Sequence, residues 1–211
     1  TSLVFSSGGV GPKLIGVTST QPLEGKTTTA CNLAAALALG GARVLLIDAD
    51  LRRPGLHKTM GLENNVGLSH LLTLQAKVRE AVQTTSEPNL WVLTAGKTPP
   101  NPSELLSSDR MIRFLQNLRT GPFEWIIIDT PPVLAVTDAV ILAPHVTGML
   151  FVLGSEMTRR GHAERALETI RASKPTIAGA VLNRIDFETN RYYYSRYYGY
   201  HYKNYYQSAS A

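Results

Sequence analysis

An α/β fold with a mostly parallel sheet, helices on both faces and a flexible C-terminal tail is predicted by three observations. Two short runs, VLLID at 44–48 and WIIID at 125–129, are apolar until their last residue, as expected of strands covered on both faces. Segments with helical apolar spacing alternate with such runs, which favours parallel pairing. The runs end in acidic residues, Asp48 and Asp129, where ligands of such sheets bind, beyond the strand carboxyl ends.

The elements follow in order. Lys13 to Ser19 is apolar and rich in β-branched residues, hence a strand, and Thr20 to Gly25 is a polar turn. TTTACNLAAALAL then reads as a buried helix stopped by Gly40 and Gly41. Arg43 to Asp48 is a strand, Pro54 to Leu74 short helices and turns, and Asn89 to Thr94 a strand. Pro99 to Pro102 is a stiff loop, and Ser103 reads as the cap of one helix running to about Leu118. Trp125 to Asp129 is a strand stopped by Pro131 and Pro132. Gly148 to Leu153 and Thr176 to Leu182 are strands flanking a helix from Arg159 to Ala172. Residues 1–187 make one domain. Apolar periodicity then stops, leaving 188–211 as a separate tail.

Composition narrows the function. The 211 residues are 44% hydrophobic and 18% charged, which is globular rather than disordered. A net charge of +5 suits anionic small ligands and is too weak to point to DNA. The single cysteine, Cys31, excludes an intramolecular disulfide and a cysteine-based zinc site and reads as core. No apolar run approaches the roughly 20 residues of a membrane helix. Thr1 to Gly9 lack a signal-peptide pattern, so a soluble, cytoplasmic piece is expected, and a start at Thr1 suggests a processed or trimmed chain.

The turn Thr20-Gln21-Pro22-Leu23-Glu24-Gly25-Lys26-Thr27, followed by Thr28, resembles a P-loop between a strand and a helix. Backbone N–H groups there point at phosphate oxygens, Gly25 permits close approach, Lys26 bridges the β- and γ-phosphates, and the Thr27 hydroxyl suits Mg²⁺. Thr20 stands where the pattern usually has its first glycine. Asp48 and Asp50, two apart in an extended segment, share one face. Each of Asp48, Asp50 and Asp129 alone reads as a strand-end cap. Three beside a phosphate loop require a cation.

With these residues in view, GVTSTQPLEGKTTTACNLA, VLLIDADLRRP, PPNPSELLSS and WIIIDTPPVLAVTDA together resemble the bacterial tyrosine kinases of polysaccharide export. The resemblance covers about residues 1–183 and the tail. It implies a P-loop NTPase-like fold, ATP and Mg²⁺ as cofactors, and the three motifs called Walker A, A′ and B. Related chromosome- and division-site-positioning ATPases carry a signature lysine where this chain has Gln21. Lys26 and Thr27 are then implied to hold phosphate and metal, Asp50 and Asp129 to organise the metal, and Asp48 to act as base, with Asp50 the other candidate. By analogy with related ATPases, Asn183 reads adenine. A strand-end turn is the plain alternative.

All nine tyrosines lie in the tail: Tyr192, Tyr193, Tyr194, Tyr197, Tyr198, Tyr200, Tyr202, Tyr205 and Tyr206. The segment has no Leu, Ile or Val and no amphipathic face. A low-complexity tether explains it blandly, and interleaved Arg191, Arg196 and Lys203 allow a single-stranded nucleic-acid reading. The resemblance explains more: these are phosphoacceptors, modified in trans between neighbouring copies. It implies a membrane-embedded activator and a phosphotyrosine phosphatase as partners, no nucleic acid, and a site at the cytoplasmic face of the cell membrane. Residues 188–211 carry a charge of +2 from three basic and one acidic residue. Two phosphates reverse that sign, so tail-exchanged oligomers are expected to loosen. The rival readings are a nucleotide-switch ATPase without kinase activity and a non-catalytic interaction domain.

Elsewhere the residues read blandly. Arg52 and Arg53 touch nucleotide or a neighbour, or form a solvated turn. Arg159, Arg160, Arg165 and Arg171 make a solvated face. The five histidines lack metal-ligand spacing. Met111 and Phe114 pack, and Trp125 fills the sheet edge or a helix contact.

Overall fold

The structure, a computed structural model, describes residues 13–186. Seven strands form one sheet: β1 (Lys13–Ser19), β2 (Val44–Asp48), β3 (Val82–Thr84), β4 (Leu90–Leu93), β5 (Trp125–Asp129), β6 (Gly148–Gly154) and β7 (Ile177–Asn183). Their order is β3-β4-β2-β5-β1-β6-β7. Every pairing is parallel except that of β3 with β4. β1 and β5 are neighbours, yet the chain leaves β1 toward β2 on one side and leaves β5 toward β6 on the other. Such divergence opens a crevice beyond the strand carboxyl ends.

Helix α1 (Lys26–Leu39) follows β1, α2 (Leu56–Met60) and α3 (Leu68–Leu72) follow β2, and α4 (Val78–Ala81) precedes β3. Then come α5 (Pro102–Leu106), α6 (Asp109–Leu118), α7 (Asp138–Leu142) with a 3₁₀ turn at Ala143–His145, and α8 (Arg160–Arg171).

Strand parity divides the core. Leu45, Ile47, Ile126 and Ile128 pack with Met111, Leu115 and Ile170 on one face. Val44, Leu46, Trp125 and Ile127 pack with Ala30, Cys31, Ala34 and Ala38 of α1 on the other. Small α1 side chains bring that helix close to the sheet. This double covering is why the strands are apolar throughout, and it bears out the α/β reading with helices on both faces.

Three details differ from the sequence reading. The single helix from Ser103 to Leu118 is two helices. Ser108, not Ser103, supplies the cap, its Oγ accepting the Met111 N–H at 3.3 Å. A short polar side chain that competes for backbone N–H groups ends one helix and starts the next. Trp125 begins a central strand, not an edge, and meets the helix-contact alternative by packing in one cluster with Ala34 and Ala38 of α1. It is buried, with the Lys13 ammonium 4.7 Å from its ring centroid. The third difference is that α4, β3 and α7 escaped notice, because each is five residues or fewer and shows no period. Met111 and Phe114 pack as expected.

The tyrosines from Tyr192 to Tyr206 lie outside the described residues. Among the described residues, no helix is long and apolar enough to cross a membrane.

Candidate active site

The turn after β1 is shaped by its own acidic residue. Glu24 is fully buried. Its Oε2 accepts the backbone N–H groups of Thr20 at 2.7 Å and Gln21 at 3.1 Å. Its Oε1 accepts the Thr158 hydroxyl. Thr20, in place of a glycine, is thus held by its backbone. The Asn183 side-chain amide donates to the Glu24 carbonyl at 2.9 Å, and the Gln21 amide to the Met157 carbonyl at 3.2 Å. The loop is laced to the segment after β6 and to the end of β7. Gly25 adopts φ 88°, and a Cβ there would collide with the Asn183 amide. Both constraints demand glycine.

Lys26 and Thr27 open α1 directly beneath the acidic strand ends. The Lys26 ammonium lies 3.1 Å from Asp50 Oδ2 and 3.4 Å from Asp129 Oδ1. The Thr27 hydroxyl donates to Asp129 Oδ2 at 2.6 Å. Burial opposes the Lys26 charge, but Asp129, Asp50 and Asp48 outweigh it, so its pKa is raised. Asp129 is pushed up by its complete burial, against the pull of Lys26 and Thr27.

Asp48 and Asp50 differ in setting. Asp48 is fully buried. Its Oδ2 accepts N–H groups from Gly55 at 3.2 Å and Leu56 at 3.1 Å, and Oδ1 accepts that of Asp50 at 3.1 Å. Burial and the nearby Asp129 charge push its pKa up to about 7. Asp50 instead lines an open cavity of about 590 Å³, a size suited to a small-molecule ligand. Lys26, Thr27, Arg52, Arg53 and Arg184 share that lining. Arg184 drew no notice in the sequence, since nothing local marks a basic residue after a strand as functional. Its backbone, at φ 57°, follows Asn183 directly.

Three carboxylates crowd one ammonium, and a cation among them would favour their ionised forms. Among the described residues no group of three or more His, Cys, Asp or Glu forms a self-sufficient metal site. Mg²⁺ does not need one, because it keeps waters and phosphate oxygens as ligands. Thr27, Asp50 and Asp129 therefore fit it. Cys31 nearby is buried, and burial, then Asp129 and Asp48, push its thiol up to about 12.

A phosphate-cradling turn at the start of a helix, beneath acidic strand ends, defines a P-loop nucleotide-binding domain. The family model described as AAA domain matches residues 13–147. The tyrosine-protein kinase YwqD of Bacillus subtilis is 43% identical over 183 residues, spanning 87% of this chain and 77% of YwqD. The tyrosine-protein kinase ptk of Acinetobacter johnsonii is 37% identical over 185 residues, spanning 88% of this chain but 25% of ptk. Among solved structures, the kinase domain of the Escherichia coli tyrosine kinase ETK superposes with TM-score 0.79 at 34% identity, over 83% of this chain and 69% of that one. The chain belongs to the bacterial tyrosine-protein kinase family, within the P-loop ATPases.

Proposed function

We propose that this domain transfers the γ-phosphoryl group of Mg·ATP to the tyrosines between Tyr192 and Tyr206, in trans between copies. The observation that carries the reading is the convergence of Lys26, Thr27, Asp50 and Asp129 beneath the loop. The loop amides and Lys26 grip the phosphates. Thr27, Asp50 and Asp129 would hold Mg²⁺, which would supply neutralisation of the charge on the transferring phosphates. A tyrosine oxygen bonds to the γ-phosphorus as its bond to the β–γ bridging oxygen breaks. ADP leaves, and the phenol proton passes to a carboxylate. Asp50 lines the cavity, with one oxygen on the Arg53 N–H and the other on the Lys26 ammonium, whereas Asp48 is fully buried with both oxygens on backbone N–H groups. This favours Asp50 as proton acceptor and gives Asp48 the task of shaping the loop. The adenine falls to Asn183 and Arg184, beside the loop.

From the resemblance to polysaccharide-export kinases, we assign the domain to exopolysaccharide synthesis or export at the inner face of the membrane. A membrane-embedded activator and a phosphotyrosine phosphatase are its partners. The switch-ATPase alternative is disfavoured by Gln21, which replaces the signature lysine and turns back to Met157.

A mixing experiment tests transfer in trans. A Lys26→Met chain with an intact tail serves as acceptor. An active chain whose tail tyrosines are all phenylalanine serves as donor. Phosphotyrosine on the Lys26→Met chain supports the proposal. A Lys26→Met chain that stays unlabelled, while wild type labels itself at a rate independent of concentration, places transfer within one chain.

A further inference from the structure

PPNPSELLSS and the end of LAVTDA supply no polar side chain to the phosphate site described above. The fold joins them. Asp138, the first residue of α7, is fully buried. Its Oδ2 accepts the Arg52 Nε–H at 2.8 Å. Its Oδ1 accepts Arg52 Nη2 at 3.3 Å and the Ser103 hydroxyl at 2.7 Å. Arg52 Nη2 also donates to Ser103 Oγ at 2.6 Å. Three side chains from three distant stretches thus close a hydrogen-bonded ring.

Its place in the molecule gives it a role. Arg52 lies two residues past Asp50 and lines the cavity. Pro131, Pro132, Ala135 and Val136, between Asp129 and Asp138, form another part of the lining. The ring therefore ties the loop that carries Asp50 to the segment that follows Asp129. The hydrogen bonds of Asp50 to Lys26 and Arg53 are local to the loop and the phosphate site. Arginine suits this task, since its planar fork meets a carboxylate with two parallel bonds that lysine does not reproduce.

We propose that Asp138 and Ser103 are positioning residues of this kinase, acting through Arg52 to hold Asp50 at its working distance from Asp129. The proposal rests on the placement of Asp50 in the phosphate site. The plain alternative is that Asp138 serves only as a favourable acid in the first turn of α7.

The test uses Asp138→Asn, Arg52→Gln, their double variant, Arg52→Lys and Ser103→Ala in the full chain. Each of the first two is expected to lower kcat for tail phosphorylation about 10- to 100-fold, since a small misplacement at a reacting centre costs that much. KM for ATP should move about threefold or less. The double variant should be no worse than the poorer single one, because both break the same link. Arg52→Lys should not rescue. Ser103→Ala, which removes one bond, should fall in the same direction by a smaller factor. A second readout needs no activity: in nucleotide-free protein, amides of residues 49–56 should exchange faster in Asp138→Asn and Arg52→Gln, while those of residues 20–25 should not. Additive losses, or faster exchange confined to α7, would overturn the proposal. Should Asp138→Asn fail to fold, wild-type kcat and wild-type exchange in Ser103→Ala would overturn it equally. A wild-type chain that phosphorylates nothing would count against the kinase assignment instead, and the exchange coupling would still decide the ring.

Discussion

Asp48 and Asp129 stand opposite each other in register at the ends of β2 and β5. Two buried carboxylates this close do not both ionise freely, and Lys26 is the cation that offsets them among the described residues. That gives the domain's stability a definite pH dependence. Asp48 ionises near pH 4 when unfolded and near 7 when folded. A raised folded pKa means the native state binds the proton more tightly. Its contribution is present below about pH 4 and is lost as pH rises through about 7. Without Mg²⁺ and nucleotide, the melting temperature should therefore fall across that window, and Asp48→Asn should flatten the fall. An unchanged slope in the variant would refute this.

Gly25→Ala should cripple nucleotide binding. Its φ of 88° disfavours any side chain, and the added methyl meets the Asn183 amide. The left-handed backbone alone costs about 1–2 kcal/mol, and about 1.4 kcal/mol is tenfold in affinity. Titration with a fluorescent ADP analogue should show a loss of about five- to thirtyfold, not recovered by adding Asn183→Ala, which removes the collision but not the backbone strain.

Glu24→Gln should loosen the loop without touching the phosphates directly. An amide has one acceptor oxygen where the carboxylate has two, so a buried donor loses its partner. Such a loss costs about 1–3 kcal/mol. KM for ATP should rise more than kcat falls. Thr158→Val should produce a weaker form of the same change. Equal losses in kcat and kcat/KM, with KM unmoved, would argue against a bracing role.

Cys31 should resist thiol reagents in the folded protein, because burial holds it as the protonated thiol. Reaction with a disulfide reagent near pH 8 should track global unfolding in urea. Rapid labelling of the native state would contradict the described packing.

The fold and the phosphate loop were legible because their signals are local. Apolar runs such as VLLID, a turn containing Gly25-Lys26-Thr27 and acidic strand ends need only short stretches of sequence. What stayed hidden depends on distance in the chain. Nothing near Glu24 shows that Thr158, 134 residues away, donates to its carboxylate. Ser103 reads as a helix cap, yet it lies inside α5, where its hydroxyl meets Asp138 and Arg52. The different surroundings of Asp48 and Asp50 were equally hidden, since they are set by where the loop folds back through Gly55 and Leu56.

The central claim is that this domain phosphorylates its own tyrosine tail through the Lys26 site. Intact-mass spectrometry after incubation with Mg·ATP, beside a Lys26→Met control, tests it most directly. The account predicts a ladder of phosphate additions that maps between Tyr192 and Tyr206 and is missing from the control. A chain that binds ATP yet gains no mass, or a ladder equally present in Lys26→Met, would contradict it.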